Sequence, residues 1–399
     1  MKKTNNSQQL IILNTIHTAI SIFINTFMVA WFFNITNNNV VPACLFYIYS
    51  YALSTIGFFI IGNLVKCGPK ILLFQLSFLI NFGALLLLLH LQENIISYLW
   101  LMGIFIGAEK ALFYLPLNVM TSQEVPKKYM ARFNAYNYAW SGITKILIPL
   151  LFGWIISLES FLKTTIIVLI LSIISWLISL KLEHIRSYCK PFKIKYLVAL
   201  AQKRKHISSS LVIDFIRGFT FEVLELLIVL YVVYMFKTNL NLGIFTSIFA
   251  ICTVTANIAF GRFCRYRNFV KLLIISSIFT VGGTSYFVIE GSKISFIIYN
   301  LIYSSLTMLL QTITSINVFR VSQDKSIASL YRTEYLAFRE LFLNTGRCLG
   351  FSLVILTAIW ISPDKLKYLL LALNLLIITV GWLSVGLSRI LNGRQLIKS

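Results

Sequence analysis

Acidic residues are scarce. Thirteen Asp and Glu stand against 35 Lys and Arg in 399 residues, and charged residues of both signs make up only 12% of the chain. A water-facing surface carries about 25% charge, so a string of soluble domains is excluded. Disorder is excluded as well, because 58% of the residues are apolar. Cysteine is sparse and dispersed (44, 67, 189, 252, 264, 348), with no C-x-x-C and no His/Cys cluster. That pattern speaks against a disulfide scaffold and leads us to expect no metal site and no cofactor. The four histidines (17, 90, 184, 206) are scattered, and no Walker A sequence or Ser/His/Asp set is present, so an enzyme is not expected.

What the chain does have is long apolar runs. A helix crosses the hydrocarbon core with about 20 apolar residues, and twelve such stretches stand at roughly 10–34, 41–65, 71–91, 96–121, 138–157, 164–182, 211–236, 242–263, 272–290, 296–319, 342–361 and 368–388. Runs of that length without two-residue alternation require helices, not barrel strands. The expected fold is an all-α integral membrane protein with twelve transmembrane helices. The first run, Leu10 to Phe33, is too long for a signal-peptide core and is expected to be retained.

The surplus of +22 would raise nucleic-acid binding in a soluble chain. Here the basic residues lie in short loops between apolar runs, so the expected partner is the lipid bilayer and not a nucleic acid. Loops on one side collect 26 Lys and Arg and those on the other side five. That asymmetry predicts a multi-pass protein of the cytoplasmic membrane with both termini cytoplasmic. Lys-, Asn- and Ile-rich usage points to an AT-rich bacterial genome. Six helices (1–182), a basic cytoplasmic linker (183–210) and six further helices (211–399) form a two-bundle layout. Within the linker, Lys195 to Ala201 has an amphipathic pattern compatible with a membrane-surface helix or a solvated tether.

The halves resemble one another. Leu117-Asn118-Val119-Met120-Thr121-Ser122-Gln123-Glu124 ends the fourth span, and Ile316-Asn317-Val318-Phe319-Arg320-Val321-Ser322-Gln323-Asp324 ends the tenth. Each precedes a basic loop and a helix with one buried cation, Lys145 in span five and Arg347 in span eleven. Duplication is the better reading, and it predicts two pseudo-symmetric six-helix bundles.

Ionisable groups at mid-bilayer cost several kcal/mol and normally face a protein interior or a wet cavity. At 100° per residue, span seven places Asp214, Arg217, Glu222 and Glu225 in one sector. Asp214 and Arg217 can pair across a turn as a gate or brace, whereas Glu222 and Glu225 have no cation nearby in sequence. Span one stacks Asn14, His17 and Asn25, and span four carries Glu109, Lys110 and Tyr114. Span two adds Tyr51, span five Lys145, span ten Gln311 in a stripe from Asn300 to Ser315, and span eleven Asn344 and Arg347 beside Glu340. These residues are candidates for a substrate cavity. Ser and Thr in such helices also commonly bond to their own backbone.

Twelve helices in a 6+6 repeat, with polar faces on spans 1, 4, 7 and 10, resemble the major facilitator superfamily of secondary transporters. The family's loop signature, G-x-L-x-D-R-x-G-R-K, is matched by Ile61-Gly62-Asn63-Leu64-Val65-Lys66-Cys67-Gly68-Pro69-Lys70. Gly68, Lys66 and Lys70 keep its turn and its charges, and Val65 stands at the acidic position. Gly261-Arg262-Phe263-Cys264-Arg265-Tyr266-Arg267 is its basic counterpart in the second half. Gly142, Pro149 and Gly153 give part of the fifth-helix pattern of the family's exporters.

The resemblance implies a monomeric antiporter that works by alternating access. The expected activity is proton-coupled export of a small-molecule drug or metabolite. Glu222 and Glu225 are the expected proton carriers, because a carboxylate in low-dielectric surroundings holds a proton more readily. A flippase for lipid-linked or glycolipid substrates is the alternative. A polytopic membrane transferase and an immunity or sensor protein are weaker ones.

Overall fold

The computed structural model describes residues 3–125, 127–183, 192–263, 269–322, 327, 331–360 and 366–396. Residues 184–191 of the linker, Cys264–Arg267 of the second basic loop and Gln323–Asp324 of the repeat lie outside them. The described residues form helices and connecting turns without strands.

Among the described residues, eleven stretches are long and apolar enough to cross a membrane. One of them, Lys70–Thr121, holds 52 residues and so suffices for two crossings. It divides at a 3₁₀ turn, Gln92–Tyr98, where Gln92 takes φ 46° and separates α4 (Lys70–Leu91) from α5 (Leu99–Glu124). The expected twelve crossings are therefore present. The first combines α1 (Lys3–Ile22), a π-helical segment (Phe23–Met28) and α2 (Val29–Ile35). The others are α3 (Val41–Cys67), α4, α5, α6 (Lys127–Leu158), α7 (Phe161–Ser179), α9 (Lys205–Phe236), α10 (Asn239–Phe263), α11 (Phe269–Glu290), α12 (Lys293–Ser322), α13 (Arg332–Trp360) and α14 (Leu366–Leu396). Ser160 caps α7 by accepting the Lys163 N–H at 3.2 Å. Large apolar side chains such as Ile60, Trp154, Ile278 and Trp360 stay exposed, as a surface solvated by lipid allows.

Several helices outrun their apolar cores. α9 begins at Lys205 and α13 at Arg332, six and ten residues before the runs that announce them. Their polar first turns are helical because protein covers them: His206, Ser210, Glu334 and Tyr335 are fully buried. Between α7 and α9, the amphipathic stretch of the linker forms a ten-residue helix, α8 (Ile194–Lys203).

The chain divides into two compact units, Met1–Phe192 with Val229–Ser247, and Lys193–Ile228 with Ile248–Ser399. The division falls inside the basic linker, and the hairpin end formed by the last turns of α9 and the first of α10 packs with the first unit. A core of Leu10, Leu13, Phe74, Phe78, Phe113 and Met120 joins α1, α4 and α5 in that unit.

In the second unit α9 and α13 run parallel in one register. Ser210 meets Tyr335, Asp214 meets Arg339 and Glu222 meets Arg347, each pair 125 residues apart. Between the polar rungs the backbones touch. A Cβ on Gly218 would stand 2.0 Å from the Leu343 carbonyl oxygen, and one on Gly346 would stand 2.1 Å from that of Phe215. Only glycine fits there. Gly218→Leu should therefore destabilise the protein by about 1–3 kcal/mol or more, read as a lower melting temperature in detergent. Gly282, whose added Cβ meets nothing within 4 Å, provides the silent control Gly282→Leu.

Candidate functional site

In the first unit the polar residues converge at mid-span. His17 Nε2 lies 2.7 Å from Glu109 Oε1, and each side chain is 4% exposed. The His17 ring stacks on Phe113 at 3.5 Å and meets Tyr114 edge-on at 5.4 Å, while Ser21 Oγ stands 3.4 Å from Nδ1. Both ring nitrogens are thus engaged, which fixes the ring plane. Tyr114 is itself 39% exposed. One position beyond Glu109, the Lys110 ammonium lies 4.2 Å from the centre of the Tyr51 ring and 5.9 Å from that of Tyr47, two rings that stack on each other. Gly107 makes this contact possible, since its missing Cβ would meet the Ser50 carbonyl oxygen at 2.4 Å and hold α3 away from α5.

Asn14 Nδ2 donates to Asn137 Oδ1 at 2.9 Å and to Ser141 Oγ at 3.5 Å, tying α1 to α6. Asn25 lies in the π-helical segment. Wider turns there release backbone carbonyls from the ordinary ladder, and the Tyr47 hydroxyl donates to the Asn25 carbonyl at 3.1 Å.

In the second unit Asp214 is fully buried. The expected Arg217 contact is present at 3.6 Å, but the stronger partner is Arg339. Its Nε and NH2 donate to the two carboxylate oxygens at 2.8 and 3.2 Å, a two-pronged arrangement suited to guanidinium. Two turns further along, Arg347 NH2 donates to Glu222 Oε1 at 2.5 Å and NH1 donates to Asn344 Oδ1 at 2.6 Å, with Glu340 4.0 Å away. The face Glu340–Asn344–Arg347 is as the helical angles imply.

Glu222, with no cation nearby in sequence, meets Arg347 from α13, and Glu225 is exposed. Three expectations change. Lys145 is exposed and not buried, because α1 covers Asn137 and Ser141 but leaves the next turn of α6 outside. Part of the stripe on α12 serves packing: Thr307 and Thr314 bond to carbonyls of their own helix, and Thr314 Oγ1 also stands 3.4 Å from Ser384 Oγ of α14. Gln311 is half-buried on that stripe. Finally, the apolar side of α8 is covered by protein, not by bilayer: Leu197, Leu200 and Ala201 are buried and α8 packs on α13.

The residue that sequence reasoning missed is Arg339, assigned to a basic loop because the apolar run starts later. Its spacing was the available signal: it lies eight positions before Arg347, on the same side of a helix extended backwards.

The sequence matches the family model described as Major Facilitator Superfamily over residues 10–353. No curated protein matches it. Among solved structures, the chain is similar to a bacterial homologue of the iron transporter ferroportin in its outward-facing state, with 14% identity, a TM-score of 0.68 and coverage of 98% of this chain and 100% of that one. A structure of a bacterial homologue of the iron transporter ferroportin in the inward-facing state gives 15%, 0.66, 97% and 98%. A bacterial metal transporter gives 14%, 0.62, 97% and 98%. At such identities the likeness is one of fold.

Asp214→Asn leaves the Arg339 guanidinium inside the second unit without its counter-charge, an imbalance that costs about 3–5 kcal/mol. Asp214→Asn combined with Arg339→Gln should recover most of that loss in a thermal-unfolding double-mutant cycle. Glu222→Gln should cost less, because the Glu222 side chain is already 31% exposed and Arg347 keeps Asn344.

Proposed function

The chain belongs to the Major Facilitator Superfamily, and from that premise we propose that this transporter is a proton-coupled exporter of a small organic solute across the cytoplasmic membrane. In this reading residues 1–182 and 211–399 are bundles that alternate access about the linker 183–210, with both termini in the cytoplasm. The observation that carries the coupling is the buried His17–Glu109 pair.

With neutral imidazole and ionised carboxylate the pair holds one negative charge. Loading one proton cancels that charge and changes the net charge of the first unit's interior by one unit. Solute affinity then depends on protonation through simple Coulomb energy in a poorly screened interior. In this reading coupling is assigned to Glu109 in preference to Glu222, which is occupied as the counter-ion of Arg347. Asp214, Arg217 and Arg339 form a brace in the second unit; the proposed solute contacts are Asn14, Tyr51 and Tyr114 within the first unit and, considered by themselves, Asn344 and Arg347 within the second. Support for export comes from α6, where Gly153 packs against Gly243 of α10, an added Cβ falling 3.0 Å from the Gly243 Cα.

A second reading takes a divalent metal ion as cargo. The three structural neighbours described as metal or iron transporters favour it, as do the imidazole and carboxylate ligand types of His17 and Glu109. Among the described residues no group of three or more His, Cys, Asp or Glu could hold a metal ion, so that reading rests on His17 and Glu109 alone.

Proteoliposomes loaded with a pH-sensitive dye test both. A panel of organic solutes should include at least one that drives proton movement in the wild type, and Glu109→Gln and His17→Gln should abolish that movement while solute binding persists. Undiminished solute-driven proton flux in Glu109→Gln would remove the assignment, and proton movement driven by Fe²⁺ or Mn²⁺ alone would transfer it to metal cargo.

A further inference from the structure

α8 carries two faces with different fates. Its apolar face is already spent within the second unit: Leu197, Leu200 and Ala201 are buried, the Lys193 backbone N–H donates to Glu334 Oε1 at 3.1 Å, and the Tyr196 ring stacks on Tyr331 at 4.3 Å. Glu334, itself fully buried, stands in the first turn of α13. Docking therefore uses a backbone donor, aromatic area and aliphatic side chains.

The cations are left outside. Lys193, Lys195, Lys203, Arg204 and Lys205 are all exposed, and residues 193–205 contain no Asp or Glu. α9 starts at Lys205, directly after this segment, so the five charges stand at the end of a membrane-crossing helix. That is the level at which phospholipid headgroups are concentrated. A group of four to eight basic residues at a membrane boundary attracts anionic headgroups by about 1 kcal/mol per cation, roughly fivefold in affinity each.

We propose that α8 is a binding surface for anionic phospholipid headgroups, and that through Glu334 and Tyr331 it ties headgroup occupancy to the α9–α13 pair. α8 is joined to α9 through the single extended residue Arg204 on one side and clasped to the first turn of α13 on the other. A headgroup held across Lys195, Lys203, Arg204 and Lys205 thus fixes the leading turns of the two helices that carry Asp214–Arg339 and Glu222–Arg347. The surface acts whatever solute is carried, so this inference stands apart from the transport reading above.

The test uses the full-length protein in detergent. Phosphatidylglycerol or phosphatidylcholine is added, and lipid retention is read by native mass spectrometry alongside the melting temperature. The wild type should retain phosphatidylglycerol preferentially and melt higher with it. Lys195→Gln/Lys203→Gln/Arg204→Gln/Lys205→Gln should lose that preference, by about fivefold for each cation removed, with phosphatidylcholine retention unchanged. Leu197→Ser/Leu200→Ser, which loosens docking and leaves every cation in place, should keep the retention but lose the rise in melting temperature. Equal phosphatidylglycerol retention in the quadruple variant overturns the binding surface. So does an equal melting shift from free glycerol 3-phosphate. A full melting shift in the undocked variant overturns the link to α13.

Discussion

A charge placed among hydrocarbon chains has to find its opposite within the protein, and the second unit is arranged around that demand. Asp214 has no exposed surface, and an uncompensated carboxylate there would outweigh several well-packed apolar contacts. Arg339 and Arg217 answer it. Because Arg339 is on α13 and the contact is two-pronged, satisfying the charge also fixes the rotation and axial position of α13 against α9. The other rungs, Ser210–Tyr335 and Glu222–Arg347, then fall into place at the same offset. Such a ladder works only if the axes approach closely enough for side chains to reach, hence Gly218 and Gly346 between the charged rungs.

The first unit answers the same demand with weaker chemistry. Asn14 and Asp214 stand 200 positions apart and Asn137 and Arg339 stand 202 apart, close to the 199 that separates Leu117 from Ile316 in the repeated segment. Asn14–Asn137 and Asp214–Arg339 thus occupy corresponding places, an amide pair in one half and an ion pair in the other. This correspondence supports duplication of an ancestral half. It also differentiates the halves energetically. A neutral hydrogen bond contributes about 0.5–1.5 kcal/mol, whereas breaking a buried ion pair costs about 3–5. α1 and α6 are the cheaper pair to separate, and α1 also carries His17 and the π-helical segment. The half with the softer brace is the half with the His17–Glu109 pair.

The sequence disclosed those features that depend on a single helix. Apolar length placed the twelve crossings, and angular position grouped Asp214 with Arg217 and Glu340 with Asn344 and Arg347. It failed where two helices had to be known together. It could not pair Glu222 with Arg347, 125 residues away, and Lys145 looked buried because its own helix does not say where α1 stops covering it. The α12 stripe looked like a cavity wall because polarity is the same whether water, the helix's own carbonyls or Ser384 of α14 satisfy it. Arg339 was hidden for another reason. An apolar run marks the part of a helix in contact with lipid, and the polar turns of α13 before it are stabilised by protein alone.

The middle of α6 shows how one residue type constrains a whole helix. Pro149 has no N–H to donate to the carbonyl of Lys145, so the ladder is broken there and the helix has its weakest turn between the two residues. On the far side of that break Gly243 sits against the Pro149 carbonyl oxygen, which an added Cβ would meet at 2.3 Å, and Gly153 sits against Gly243. The glycines keep backbone in contact with backbone just beyond a turn that bends at little cost, while Asn14 anchors the helix before it through Asn137 and Ser141. A bend in α6 is therefore confined to the stretch between Ser141 and Pro149, and the one charged side chain that stretch carries to the exposed surface, beside Ile143 and Leu147, is Lys145. Any motion of α6 that preserves both contacts has to move that ammonium.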